Sequence, residues 1–404
     1  MTMSHNKVEV KNLFKVFGNR PEQAMEMVRS GVGKDELFQK TGMVLGVKDA
    51  SFEVRQGEIF VLMGLSGSGK STLIRLLNRL IEPTAGEVWL DGQDVAKLNK
   101  SALIELRRKD LAMVFQSFAL LPHLSVLGNT AFGLEVAGVD KSTREKRALQ
   151  VLEQVGLKAF AQKRPAELSG GMQQRVGLAR ALAVDPSLML MDEAFSALDP
   201  LKRTEMQDLL LQLQREQQRT IVFVSHDLDE AFKIGNRIAI MEGGRIVQVG
   251  TPDEILRNPS EAYVKAFFKG VDVKKYWVAK DLLEAAPTVV LPERPDATHF
   301  PQWLGQLEAS GHSQLMLVSS TGQLLGVTDA VDLHEAIRGG PSSPWHPQPA
   351  PSVFLSDACG MDEVGRSVSV AMAAVPVLDD QQRLLGVVSK GGLLARLIAQ
   401  ENEQ

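Results

Sequence analysis

The stretch Gly64-Leu65-Ser66-Gly67-Ser68-Gly69-Lys70-Ser71 constrains the fold of this chain more than any other feature. It fits the pattern Gly-x-x-x-x-Gly-Lys-Ser/Thr, follows an apolar run at 59–63 and opens a helical pattern over 72–80. Glycines let backbone N–H groups close around phosphate oxygens, and the following helix adds the positive end of its dipole. In such a loop Lys70 carries a positive charge to the β- and γ-phosphates, and the Ser71 hydroxyl is a ligand for Mg²⁺. A strand, this loop and a helix in succession demand an α/β architecture. A glycine-rich turn with a chance lysine would not need that context.

The rest of the first 270 residues agrees. The runs at 188–191, 220–225 and 237–241 are as apolar as 59–63, which suits strands buried on both faces of a parallel sheet. Helical stretches such as 142–155 and 202–217 lie between them, and alternation at this spacing predicts an α/β sheet. Residues 7–17 alternate loosely and read as an edge strand. Residues 50–63 read as two strands. Between 19 and 43 sits an insertion of helical composition, at 22–29 and 35–40, broken by Gly31 and Gly33.

A tail begins near 280 and contains a repeat. Residues 315–333 resemble 375–393, with Leu-Leu-Gly at 324–326 and again at 384–386. Each half reads strand, turn, strand, helix. Between the halves, Pro341, Pro344, Pro347, Pro349 and Pro351 predict a semi-rigid linker. Charge divides at the same place. Residues 281–404 hold 15 acids and 6 bases, a net of −9, which leaves +5 for the first 280 residues of a chain whose total is −4. That surplus is too dilute for a nucleic-acid groove.

At 404 residues the chain has room for two or three domains of about 150 residues each. Its 44% hydrophobic and 23% charged residues exclude disorder as the main state. No apolar run reaches the ~18 residues of a membrane-spanning helix, and the first residues lack the apolar core of a secretory signal. Cys359 is the single cysteine, so no internal disulfide can form. A cytoplasmic protein is the expectation.

Two further sites carry chemistry. The run 188–191 ends in Asp192 and Glu193. A carboxylate at the tip of a buried strand can reach a metal-bound water beside the phosphates, and the next can polarise an attacking water. Alone, the pair reads equally as a solvated acidic turn. Leu168-Ser169-Gly170-Gly171 precedes a helical pattern over 172–182, a second helix N-terminus able to take phosphate. One nucleotide does not need two cradles, but a second cradle makes sense if it closes on a nucleotide held by another copy. Alone, Ser169 reads as an ordinary helix N-cap.

Together these residues resemble the nucleotide-binding subunit of ABC transporters. The phosphate loop, Val114-Phe115-Gln116-Ser117, the Ser169 motif, Met191-Asp192-Glu193, Ser196-Ala197-Leu198-Asp199 and Ser225-His226-Asp227 occur in that family's order over residues 7–270. The resemblance implies a P-loop NTPase cassette over 1–270, with a RecA-like core, a helical subdomain and the 19–43 insertion. It implies ATP and Mg²⁺ as cofactors. Gly64, Ser66, Gly67, Gly69, Lys70, Ser71 and Thr72 would hold the nucleotide. Ser71, Gln116 and Asp192 would hold the metal, Gln116 also sensing the γ-phosphate. Glu193 would be the general base, and His226 would contact the γ-phosphate. Ser169, Gly170 and Gly171 would contact ATP of the opposite subunit, with Asp199 at the dimer seam. The family places an aromatic under the adenine; here Phe17 is the candidate, displaced by the insertion.

The insertion, the wording around the loop, the segment 115–133 and the duplicated tail resemble more narrowly the ATP-binding subunits of glycine betaine/L-proline importers, the quaternary-amine group. The tail resembles an α+β tandem pair of CBS modules, at 280–340 and 345–400. CBS modules can hold adenine nucleotides through a hydroxyl and an aspartate. The first half keeps Asp332 but has Asp329 at the hydroxyl position; the second keeps Ser389 but has Gly392 for the acid. A structural or regulatory pair, with a small-ligand or ionic-strength input, is therefore an equal reading. The resemblance further implies a second copy of the chain, a separate membrane permease, a separate solute-binding protein and a place at the cytoplasmic side of the inner membrane. Phe118, Leu121 and Pro122 fall where the family forms its groove for the permease. The alternative is a soluble ABC ATPase acting on nucleic acid or ribosomes. A single cassette, the absence of a heptad run and an acidic tail, which a phosphate backbone would repel, weigh against it.

Overall fold

The computed structural model describes residues 5–268, 273–293, 295–296, 298–339 and 345–399. The end of the expected cassette at 270 and the linker residues Pro341 and Pro344 lie outside them. The chain forms two compact units, Met1–Phe267 and Phe268–Gln404.

In the first unit, β1 (Asn6–Phe17) leads into the helical pair α1 (Pro21–Arg29) and α2 (Lys34–Thr41). Then come β2 (Val44–Arg55), β3 (Ile59–Met63), α3 (Lys70–Leu77), β4 (Ala85–Leu90), β5 (Gln93–Asp94), α4 (Lys100–Lys109) and β6 (Leu111–Phe115). Three helices follow, α5 (Val126–Val136), α6 (Lys141–Gln154) and α7 (Gly170–Ala183). The chain returns through β7 (Leu188–Asp192), α8 (Pro200–Gln217), β8 (Thr220–Ser225), α9 (Leu228–Ile234), β9 (Arg237–Glu242), β10 (Arg245–Gly250), α10 (Pro252–Arg257) and α11 (Ala262–Phe267).

The central sheet has the order β10-β9-β3-β8-β7-β6. All its pairings are parallel except β10 with β9. Every residue of β3, β7 and β8 is buried, as their unbroken apolar runs require. A second sheet, β2-β1-β4-β5, shares a core with the first through Leu13, Val54, Phe60, Leu73 and Val222. The expected edge strand β1 is in fact interior, hydrogen-bonded to β2 on one side and β4 on the other. Its alternation is loose because register shifts interrupt both pairings.

The insertion is a packed structure on the β1–β2 hairpin. Ala24, Met25, Val28 and Leu37 form a small core with Val16, Met43 and Leu45. Because Phe17 pairs directly with Val44, the insertion leaves the hairpin closed at its base and does not displace Phe17 from it.

The second unit is β11 (Thr288–Val290), α12 (His299–Ser310), β12 (Gln314–Val318), β13 (Leu324–Asp329), α13 (Ala330–Gly339), β14 (Gln348–Pro349), β15 (Leu355–Ser356), α14 (Met361–Val370), β16 (Val375–Leu378), β17 (Leu384–Val388) and α15 (Lys390–Ala399). The sequence repeat is a repeat in register. Met316 pairs with Val327, and Pro376 with Val387; each hairpin carries its irregularity at the matching place, after Leu317 and after Val377. The duplication is also longer than strand, turn, strand, helix. In each half a strand and a helix precede the hairpin, and that first strand is parallel to the second.

Lead-in segments are exchanged between the halves. Glu284 bridges Val387 of the second half, and Gln348 pairs with Val327 of the first. Part of the proline-rich stretch is therefore sheet, not only linker. This exchange brings a carboxylate onto the second half. The Glu284 carboxylate accepts from Ser389 N at 2.8 Å and from Ser389 Oγ at 2.9 Å. A Cβ at Gly392 would lie 2.0 Å from Glu284 Oε1, so a carboxylate from another segment occupies the space beside Gly392. In the first half the Gln348 amide donates to Asp332 at 2.7 Å and to Asp329 at 3.3 Å.

Candidate nucleotide site

Parallel register brings the site together. Met63 lies beside Ser225, Val224 beside Asp192, and Asp192 beside Phe115. The residues just past these four strand ends are the phosphate loop, His226, Glu193 and Gln116. Sites of open α/β sheets form at such carboxyl ends.

The loop's geometry depends on glycine. Gly69 has φ +105°, and a Cβ there would stand 2.3 Å from the Gly46 carbonyl oxygen of β2. Lys70 starts α3 and is 4% exposed. Its ammonium donates to Gly64 O at 2.7 Å and Leu65 O at 3.1 Å. Burial holds its pKa below the ordinary value, against the opposing pull of the Glu193 and Asp192 carboxylates.

Ser71 Oγ donates to Asp192 Oδ1 at 2.8 Å, and Arg75 Nη2 reaches Asp192 Oδ2 at 3.1 Å. Asp192 is buried. Glu193 has φ +47°, and its N–H donates to Val224 O at 3.2 Å, which turns the chain out of β7. Its Oε2 stands 3.6 Å from His226 Nδ1.

A cleft of about 340 Å³ opens over the loop. Of the residues singled out in the sequence, Phe17, Ser66, Gly67, Gly69, Lys70, Ser71, Thr72 and Glu193 line it. The Phe17 ring lies against Gly46, where a Cβ would be 2.8 Å from its Cε2, and Lys15 Nζ is 5.0 Å from its centroid. Lys34, Val44, Leu45 and Gly46 also line the cleft and were not singled out. Nothing local in the sequence marks Lys34; it arrives there by the folding of the insertion.

The remaining residues stand elsewhere. Gln116 is exposed just after β6. Ser169, Gly170 and Asp199 are exposed and outside the cleft's lining. Ser169 Oγ accepts from Met172 N at 3.4 Å as N-cap of α7, and Asp199 Oδ1 accepts from Lys202 N at 3.0 Å as N-cap of α8. Gly171 faces the Lys202 side chain, so the two motifs adjoin on one surface. The segment after Gln116 is braced, with Arg180 donating to Ala119 O at 2.6 Å and Asn129 Oδ1 accepting from Leu121 N at 2.7 Å. Among the described residues no helix is long and apolar enough to cross a membrane.

The sequence profile of the ABC transporter family matches residues 47–196. The glycine betaine/proline betaine transport system ATP-binding protein ProV of Escherichia coli (strain K12) is 50% identical over 400 residues, covering 97% of both chains. The glycine betaine transport ATP-binding protein OpuAA of Bacillus subtilis (strain 168) is 46% identical, covering 97% of this chain and 92% of that one. Among solved structures, the dimeric ATP-binding cassette MJ0796 bound to ADP and Pi superposes with a TM-score of 0.52 at 32% identity, covering 61% of this chain and 98% of that one. With near-complete mutual coverage at such identity, the chain belongs to the ABC transporter family, as an ATP-binding protein of the glycine betaine/proline betaine transport group.

Proposed function

We propose that two copies of this chain hydrolyse ATP to drive import of glycine betaine- or proline-type osmoprotectants. The observation that carries the reading is the convergence of Lys70, Ser71 and Glu193 on one cleft, with Asp192 holding Ser71 from behind. In this reading the loop residues Gly64, Ser66, Gly67, Gly69, Lys70, Ser71 and Thr72 bind the phosphates, and Phe17 stacks on adenine. Glu193 takes a proton from water as its oxygen bonds to the γ-phosphorus; the bond to the β–γ bridging oxygen breaks, and ADP carries away the electron pair. His226, beside Glu193, meets the γ-phosphate. Holding the developing charge is the chain's main contribution to such a transfer.

Mg²⁺ fits these residues. Ser71 and Asp192 offer hard oxygen donors 2.8 Å apart, and Gln116 follows the strand beside Asp192. Among the described residues no cluster of three or more His, Cys, Asp or Glu could hold a metal alone. A single carboxylate with a few neutral oxygens, phosphates and water is a usual Mg²⁺ arrangement. Bound there, the ion would neutralise phosphate charge.

The exposed pair of N-caps, Ser169 and Asp199, supports a dimer in which Ser169, Gly170 and Gly171 of each copy close on the ATP of the other. The similar solved cassette MJ0796 is dimeric, which supports the same arrangement. The braced segment 118–122 is the proposed groove for a separate membrane permease at the cytoplasmic face of the inner membrane, with a separate solute-binding protein supplying recognition. The halves 280–340 and 345–400 are proposed to be a CBS pair with a regulatory input, supported by their duplicated register.

Uptake of labelled glycine betaine by cells lacking this chain, complemented with wild type or Lys70→Ala, tests the reading. Wild type should restore uptake and the variant should not. Equal restoration by both would overturn it.

A further inference from the structure

The insertion at 19–43 sends one side chain into the nucleotide cleft. Lys34 opens α2, and its ammonium donates to Gly67 O, a carbonyl of the phosphate loop, at 3.1 Å. It lines the same cleft as Lys70 and Glu193, and these three are the charged residues of that lining. Two cations against one carboxylate favour a polyanion.

Its position is built. Leu37, one turn along α2, is fully buried in the small core with Val16, Ala24, Met25 and Leu45. Thr41 Oγ1 donates to Leu37 O at 2.6 Å and accepts from Met43 N at 3.1 Å, tying the helix end to the residue that precedes β2. The hairpin base under the insertion, Phe17 paired with Val44, is itself part of the cleft wall. The side chain therefore starts from a fixed helix and has four methylenes of reach. Its present partner is a neutral carbonyl. A phosphate oxygen is the stronger acceptor for an ammonium, because both partners are then charged.

We propose that Lys34 is a nucleotide-binding residue, a second cation of the ATP site besides Lys70, which engages the phosphates of the bound nucleoside triphosphate. This rests on the reading of the cleft as an ATP site. The helical insertion then does more than decorate the hairpin; it completes the electrostatics of the site.

The test is equilibrium binding of ATP and AMP to the purified full-length chain with Mg²⁺, for wild type, Lys34→Ala, Lys34→Gln and Lys34→Arg, each first checked for an unchanged melting temperature without nucleotide. Loss of one charge-assisted contact should weaken ATP binding about tenfold in Lys34→Ala and Lys34→Gln. AMP, with less charge, should be affected several-fold less, and Lys34→Arg should stay near wild type. Raising salt from 0.1 M to 1 M should shrink the difference between wild type and Lys34→Gln, because the Debye length falls from ~10 Å to ~3 Å. Wild-type affinity in Lys34→Gln would overturn the proposal, since glutamine keeps a donor for Gly67 O and lacks only the charge. Equal losses for ATP and AMP would also overturn it, making Lys34 a brace of the loop. Failure of wild type itself to bind ATP would instead bring down the reading of the cleft, and the proposal with it.

Discussion

Ser71 and Asp192 are joined by a 2.8 Å hydrogen bond, Oγ to Oδ1, across 121 residues of sequence. The bond ties the first turn of α3 to the tip of β7, so the hydroxyl and the carboxylate approach the cleft as one unit. Asp192→Asn keeps the size of the side chain and removes its charge. Nucleotide should still bind, but half-maximal hydrolysis should need at least about tenfold more Mg²⁺, the effect of losing one charge-assisted interaction. An ATPase titration with Mg²⁺ checks this.

Glu193→Gln removes the proton acceptor while keeping shape. Hydrolysis should fall by about 10²–10⁴-fold, the usual size of a general-base loss. ATP should still bind, and an ATP-bound dimer should accumulate. Size-exclusion chromatography with ATP, beside a steady-state ATPase assay, reads both effects.

Ser169 is exposed and is not among the residues that line the cleft of its own chain. Ser169→Arg should block hydrolysis and leave monomer affinity for ATP intact. Lys70→Ala should lose that affinity. In a mixture of the two, one site of the heterodimer carries both lesions and the other carries neither, so ATP occlusion should partly recover. Equal loss of monomer affinity in both variants would show that Ser169 serves its own subunit.

Glu284 holds both the N–H and the hydroxyl of Ser389. Glu284→Ala leaves these two donors without their acceptor, a loss of about 1–3 kcal/mol. Unfolding of the second unit, followed by the fluorescence of its tryptophans in urea, should begin at lower denaturant. ATP hydrolysis by the first unit should remain within a few-fold of wild type.

Truncation after Gly270 should leave basal hydrolysis within a few-fold and change its dependence on salt in the assembled transporter. The −9 charge of residues 281–404 is repelled by an anionic surface and attracted by the basic first part, and both effects weaken as the Debye length shortens from ~10 Å at 0.1 M to ~3 Å at 1 M. ATPase activity of full-length and truncated complexes in anionic vesicles across a salt series is the measurement. Parallel curves would remove the tail as an ionic sensor.

Much of the first unit was legible in the chain itself. The apolar runs at 59–63, 188–191 and 220–225 suited strands buried on both faces, because a short run without polar breaks has no face to offer water, and all three are buried strands. The glycines around Lys70 marked the loop for the same local reason: close backbone approach and positive φ exclude other residues. The repeat at 324–326 and 384–386 announced a duplication that the structure carries into strand register. What tertiary structure alone decided was which distant segments meet. The interior place of β1, the lysine that an insertion returns to the phosphate loop, and the carboxylate that Glu284 delivers to Ser389 and Gly392 leave no local trace. Each depends on contacts between residues far apart in the chain, and periodicity and turn chemistry report only on neighbours.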